Sequence, residues 1–575
     1  MSFWDIDLNI IQKSLIIRDV NDSQEFPWLL TSYERYKDFW NDLLKIKELL
    51  IGSASKSIAF SYYNFYEDIL VKNQDSKVRA LGYFDEFLEY KEISYQRVKR
   101  LTDIIARRWQ EFGVEAGMRI AIVYPFGIEF LVSLLAGLKL GLVLCIVSNK
   151  RLLQESLKLL KPDFVSSDII YRSALGVWRD KLLPDIDIET LETEDIEDIS
   201  FSHTYKSNDP VFLIPDISLT SFVEINADEA YLYSLRDAII TFALAPFEKL
   251  ASIGFDFLKS LSLLISCLSI GASYIYINEN VINSNPNLLK DIKVKCLGIS
   301  DSIVNSLITL DSLDLSNICN LLFRDPSESI IIDKYQKLVD RLNLKNVLIS
   351  NVRIEPCLLS SSLFSSRIKG KVHQNVMPSA GLKWVLTNPL DIDCISKLNY
   401  GCLCIYNLTN NKKKSLSDII CQVGSNSYLY TYPFIPIRSE VNKRFPINQF
   451  MDIINSILSD RPVDYTLLLI PYPEQLKKIL LIFVGDFSFF PEKNWKDSIN
   501  KTIMKELGRE FLPDEIVFFY TYPRYKSDGT IDSDWCYSNY LTGLLYKKTN
   551  IEVYKLIARL RRLILIKEAA YGNSR

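Results

Sequence analysis

The chain has 575 residues, 48% hydrophobic and 24% charged, with 67 basic against 70 acidic side chains. That is enough apolar material for a large core, and the near-neutral balance argues against a nucleic-acid binder. Only 2 histidines (His203 and His373) and 20 glycines are present, which excludes a His-rich metal centre and disfavours a Gly-rich phosphate loop.

Met1 to Asp7 lacks the basic and apolar regions of a signal peptide. Residues 1 to about 90 are aromatic-rich and helical in pattern. Ser94 can cap a helix whose apolar positions Val98, Leu101, Ile104, Ile105, Trp109 and Phe112 recur at helical spacing, with Gly113 as a left-handed stop. Arg119 to Tyr124 reads as a short strand, Pro125-Phe126-Gly127 as a turn, and the next helix runs to Leu140 before a strand at Leu142 to Val147. The run Phe130 to Val147 has about the length of a membrane span, but Gly137 and Gly141 punctuate it and favour a buried helix followed by a buried strand. Alternating helices and short apolar strands predict an α/β domain with a largely parallel sheet.

Asp185 to Asp198 carries eight carboxylates. It lacks the turn glycine and ligand offsets of a calcium loop and reads as a solvated connector. Further strands are expected at Val211 to Ile214, Ser273 to Ile277 and Leu403 to Tyr406. Beyond residue 435 comes a compact α/β pattern: a helix from Asn448, strands at Thr466 to Ile470 and Ile479 to Val484, and a helix from Trp495. A boundary there gives a large domain, 1–434, and a small one, 435–575. The ten cysteines are scattered without a CxxC pair, as expected for buried reduced thiols in a cytoplasmic protein. Ile551 to Lys567 is a basic amphipathic helix pattern that packs on its own domain or docks a partner or an anionic membrane surface.

The order of these segments, roughly 90 to 535, resembles the adenylate-forming superfamily of acyl-CoA synthetases, fatty acyl-AMP ligases and adenylation domains. Ile93-Ser94-Tyr95 with Gly113 to Ile122 carries the likeness, as do Glu129 to Val143 and Tyr400-Gly401-Cys402-Leu403-Cys404. Phe511 to Phe518 with Tyr522-Pro523-Arg524 completes it. The resemblance implies a large N-terminal and a small C-terminal α/β domain. It also implies a reaction in which a carboxylate attacks the α-phosphate of ATP, so that positioned donors and cations must stabilise crowded negative charge.

The expected residues are eroded. After Asp209-Pro210-Val211-Phe212-Leu213, the phosphate-loop position reads Pro215 to Glu224, without glycine or lysine. Only Ser218, Thr220 and Ser221 remain there as candidate nucleotide-binding hydroxyls. Asp216 and Glu224 stand where phosphate would lie, and like charges at ~4 Å repel by about 4 kcal/mol at an effective dielectric of ~20. Ile217, Leu219 and Phe222 crowd the same stretch. Lys249 occupies a histidine position in the Ala245 to Lys249 motif and is expected to be solvated or paired with Glu248 or Asp256. Asn351 to Glu355 matches a motif of which only Glu355 is kept, as a magnesium ligand or else an exposed or ion-paired carboxylate. Asp418, ahead of a hairpin at Tyr428-Leu429-Tyr430, is the candidate ribose ligand or else a turn cap, and Phe434 replaces an arginine. Thr530 stands at the position of the C-terminal lysine, with Lys526 four residues earlier. His203 and His373 are read as surface residues.

The expectation is therefore an adenylate-forming α/β fold that has lost or weakened adenylation and acts as a binding or scaffold subunit. Its partner would be an active relative or an acyl carrier protein, with an acyl ligand as a further option. No cofactor is expected, and no nucleic acid or transmembrane segment. The alternative is a divergent, active ATP-dependent ligase using ATP and magnesium with Lys526, Lys249, Glu355 and Asp418.

Overall fold

The computed structural model describes residues 36–51, 62–73, 79–84, 89–147, 153–193, 201–215, 221–277, 281–282, 285, 287–310, 313–324, 329–365, 368–373, 376–387, 400–407, 413–424 and 427–433. It further describes 447–458, 463–471, 476–484, 495–519, 521–525, 531–532, 535–536, 539–540 and 545. Met1 to Asp7, Phe434, the end of the acidic connector and the basic pattern at Ile551 to Lys567 lie outside these residues.

Chain contacts divide the protein into two units, one of residues 1–326, 331–385 and 404–416, the other of 327–330, 386–403 and 417–575. The first unit is built from local signals that behave as read. Ser94 caps the helix Tyr95–Glu111, its hydroxyl accepting from the Arg97 N–H at 3.2 Å. Val98, Leu101, Ile104, Ile105 and Trp109 are buried on one face. Phe112 departs from the pattern: it lies at the helix end, 47% exposed, edge-on to Phe164. Past it, Gly113 takes a φ of 97° that a side chain would resist.

The run that could have crossed a membrane is the buried helix Ile128–Leu140 followed by the strand Val143–Ile146. Gly141 separates them at a φ of 78°, and a Cβ there would overlap the His203 ring. Lys139, which breaks the apolar run, is fully buried, held by Asp103 at 2.5 Å and lying over the Tyr66 ring. No helix among the described residues is long and apolar enough to cross a membrane.

A five-stranded sheet has the order Phe164–Ser167, Arg119–Val123, Val143–Ile146, Pro210–Pro215, Phe222–Asn226. The first four strands are parallel and the last turns back antiparallel. A ten-stranded sheet has a parallel centre of Arg79–Phe84, Ser273–Ile277, Lys249–Ile253, Cys296–Ile299, Asn320–Arg324 and Leu348–Glu355. Strands buried on both faces read as continuous apolar runs, which is why Ser273–Ile277 was legible. The strand Arg79–Phe84 falls in a stretch that reads as helical; it pairs antiparallel with Tyr90–Ser94, a contact the local pattern does not announce. Phe126, from the turn leaving the small sheet, meets Phe130, Phe257, Tyr274 and Tyr276 at centroid distances of 4.9–5.8 Å and so joins the two sheets.

In the second unit, Leu476–Phe483 pairs antiparallel with Asp464–Pro471 and parallel with Glu515–Phe519. Leu480 and Ile482 face a core with Phe450 and Ile454 of the helix Ile447–Leu458 and Trp495 and Ile499 of the helix Trp495–Glu506. Ile479, Leu481 and Phe483 face the opposite core, with Val517, Phe519 and Tyr540. These helices and strands stand where the sequence pattern puts them. Among the described cysteines, Cys145, Cys267, Cys296, Cys404 and Cys536 are buried free thiols, but Cys319 is exposed and Cys357 partly so.

Candidate functional site

The arrangement of the five-stranded sheet defines where a ligand would approach. Arg119–Val123 lies between Phe164–Ser167 and Val143–Ile146, so the connections leaving the two central strands run in opposite directions. Right-handed crossovers then open a crevice outside the carboxyl ends of the strands. Pro210–Pro215 ends at that edge, where the phosphate loop is expected.

What stands there is a hairpin. Pro215 pairs with Phe222, Ile214 with Val223 and Leu213 with Glu224. Residues 216–220, including Asp216, Ser218 and Thr220, lie outside the described residues. Ser221 is exposed beside the closing pair. The reading of Glu224 as a loop carboxylate is corrected: it belongs to the returning strand, and its carbonyl accepts from Lys414 Nζ at 3.0 Å. Its pairing with Leu213, two positions before the ladder closes at Pro215 and Phe222, places it in the strand.

The same edge is acidic. Burial, then the neighbouring Asp168, raises the carboxyl pKa of Glu129 in the first turn of Ile128–Leu140. Burial pushes the Tyr124 phenol up to about 12, with Asp185, Asp168 and Glu129 adding to it against the Ser166 hydrogen bond. Asp168 accepts from the Ile170 N–H at 2.9 Å, and Asp185 pairs with Arg172. Sequence reasoning missed this grouping, because the acids come from separate loops that only the sheet order brings together. ATP with magnesium, the cofactor set of the resemblance, fits these residues poorly: a polyphosphate needs backbone N–H groups and cations, and this edge offers carboxylates.

Lys249 begins the central strand Lys249–Ile253, and its ion pair is with Glu92 rather than Glu248 or Asp256. Glu92 also accepts from Tyr90 Oη at 2.6 Å and lies 3.4 Å from Arg79. Burial alone would raise the Glu92 carboxyl; the Lys249 and Tyr90 hydrogen bonds and the two cations hold it below its ordinary value. The expected partners are engaged elsewhere. Glu248 accepts from the Ala245 N–H at 2.9 Å, and Asp256 caps the helix Phe257–Ser269.

Glu355 ends the strand Leu348–Glu355, buried and 3.8 Å from the Arg353 guanidinium, so it is not the exposed carboxylate of one expectation. No group of three or more His, Cys, Asp or Glu side chains among the described residues is placed to hold a metal ion. Asp418 lies within the strand Lys413–Gly424, opposite Pro433, in a hairpin that also pairs Ile420 with Tyr430. The hairpin is where it was expected, and Asp418 is part of it rather than ahead of it. Lys526 and Thr530 lie outside the described residues; Tyr525 and Ile531, which flank them, form an antiparallel bridge. Neither histidine is a plain surface residue. His203 is tucked against Gly141 and Tyr205, where burial lowers its pKa, and the His373 carbonyl accepts from Asn351.

A second feature was not anticipated. Arg236 and Asp237 are fully buried in a segment that runs as π-helix, α-turn and π-helix from Glu229 to Thr241. Asp237 accepts from Arg236 at 2.8 Å, from Thr241 Oγ1 at 2.9 Å and from the Ser361 N–H at 2.5 Å. Arg236 also donates to the Ser361 carbonyl at 2.7 Å. The only hint in the sequence is a charged dipeptide inside the apolar run Tyr231 to Leu244.

No family model and no curated protein matches the chain. Solved structures do. The acetoacetyl-CoA synthetase from Streptomyces lividans is 15% identical, with 96% of this chain and 97% of that one covered at a TM-score of 0.67. McyG A-PCP complexed with phenylalanyl-adenylate is 13% identical over 88% of this chain and 87% of that one, at 0.59. The O-succinylbenzoate coenzyme A synthetase MenE from Bacillus subtilis, in complex with ATP and magnesium, is 11% identical over 82% and 98%, at 0.58.

Proposed function

Because the chain has the fold of the adenylate-forming enzymes, a large N-terminal α/β domain with a small C-terminal one, we propose that it is a catalytically degenerate member acting as a binding or scaffold subunit. The observation that carries this reading is the hairpin closed by Pro215 and Phe222, with residues 216–221 free of glycine and lysine, at an acidic sheet edge. A stretch of this composition is poorly suited to wrapping a polyphosphate with backbone N–H groups, because it has no glycine to take left-handed backbone or to let the chain approach closely. Lys249, spent on Glu92, adds no free cation to compensate. The setting would be acyl, fatty-acid or natural-product metabolism in the cytoplasm. The partner would be an active relative or an acyl carrier protein; the likeness to an A-PCP structure supports the second. Carboxylate-dependent exchange of labelled pyrophosphate into ATP tests the reading. The expected result is no exchange with fatty or aromatic acids.

A second reading is an active ligase with an altered site. The near-complete coverage of an acetoacetyl-CoA synthetase favours it, since the small C-terminal domain has been kept. Lys526, Lys249, Glu355 and Asp418 would then carry the reaction, with Thr530, Ser218, Thr220 and Ser221 as further candidates toward ATP and magnesium. Exchange above background with any one carboxylic acid establishes this reading in place of the first.

A further inference from the structure

Near the start of the Glu229–Thr241 segment, Trp40 Nε1, Asn226 Oδ1, Glu229 Oε1 and Tyr233 Oη are buried polar atoms without a hydrogen-bond partner among the described residues. Their residues are 1%, 6%, 1% and 0% exposed. Contacts link their residues in a chain. The Trp40 and Tyr233 rings are 5.8 Å apart, and Glu229 and Tyr233 are one helical turn apart, near enough for the carboxylate to raise the phenol's pKa after burial has done so. The Asn226 N–H donates to Glu229 Oε2 at 3.3 Å, and Lys414 Nζ reaches the same oxygen at 2.6 Å. The other carboxylate oxygen is left over. A buried polar group without a partner is costly, and a native core does not gather several without a reason.

The chemistry of the four atoms says what fits. Trp40 offers a donor only, Tyr233 offers its hydroxyl proton, and Asn226 Oδ1 and Glu229 Oε1 accept. A cation would want acceptors on every side, and an anion would want donors. Two donors and two acceptors complement a water molecule, which has two lone pairs and two protons to give. Enclosed polar sites of this kind hold ordered water. We propose that ordered water is bound between Trp40, Asn226, Glu229 and Tyr233. It ties the helix Tyr36–Ile51, through Trp40, to the segment that follows the Pro215–Phe222 hairpin.

Thermal unfolding of the full chain carrying Tyr233→Phe, Trp40→Phe or both tests this. If the hydroxyl is bridged by water, Tyr233→Phe lowers Tm, by on the order of 2 °C. The double variant then loses less than the sum of the singles, because both lose the same bridge. If the hydroxyl has no partner, removing it raises Tm or leaves it unchanged, and that result overturns the proposal. A crystal structure of the unaltered protein, at a resolution that shows ordered water, gives a second readout independent of whether the variants fold. Density between the four atoms is expected, and its absence overturns the proposal whatever the variants do.

Discussion

Pro215 faces Phe222 as the last pair of an antiparallel ladder, so the strand that leads into the expected phosphate-loop position is paired with the strand that leaves it. Four pairs hold that ladder besides the closing one, from Pro210–Asn226 to Ile214–Val223. Glu224 is drawn into the returning strand, and its carbonyl is taken by Lys414. The consequence is structural first and functional second. Of the apolar residues that crowd this stretch of the sequence, Phe222 stands in the returning strand, paired with Pro215.

The Lys249–Glu92 pair should make stability depend on acid. Glu92 is held below its ordinary carboxylate value by Lys249, Tyr90 and Arg79 against the opposing effect of burial. A group with a depressed folded-state pKa contributes stability above its unfolded value, about 4.3, and loses it as pH falls through the folded one. Lys249→Met should therefore lower Tm near neutral pH and shrink the difference from the unaltered chain as pH falls below about 4.3. A Tm difference that stays constant across that range contradicts the assignment.

Arg236 and Asp237 should be far more sensitive to single changes than to a paired one. Arg236→Met leaves an uncompensated buried carboxylate, and breaking such a pair typically costs about 3–5 kcal/mol. Arg236→Met with Asp237→Leu removes both charges and should recover part of that loss. Urea unfolding midpoints across the four-member cycle check this. Additive effects would show that the two residues do not act as a pair.

Gly141 should resist substitution for two separable reasons. Its φ of 78° strains any side chain, and a Cβ there would meet the His203 ring. Gly141→Ala should destabilise by more than ~1 kcal/mol. His203→Ala in the same chain should return the share due to overlap but not the share due to backbone strain. Thermal melts of the two singles and the double separate them.

Much of the fold was legible because its signals are local. Ser94 with its helical apolar spacing, the run Ser273–Ile277 and the α/β pattern beyond Ile447 each depend on residues a few positions apart. The partner of Lys249 was not legible, since Glu92 is 157 positions away and reaches it only through the pairing of separate strands. The acidic edge around Tyr124 was hidden for the same reason: Glu129, Asp168 and Asp185 converge through strand order, not spacing. The burial of Lys139 ran against the expectation for a charged residue, and only the Asp103 carboxylate on a neighbouring helix accounts for it. The poverty in glycine and histidine was visible at once, and the hairpin at Pro215 gives one of those missing glycines a structural address.

The most direct measurement is isothermal titration of the full chain with ATP in the presence of magnesium. No heat of binding is expected at concentrations where a working adenylate-forming site would saturate, because the sequence 216–221 has no glycine or lysine and the sheet edge around Tyr124 carries carboxylates. A saturable isotherm with micromolar affinity would contradict that expectation and establish a nucleotide site in this chain.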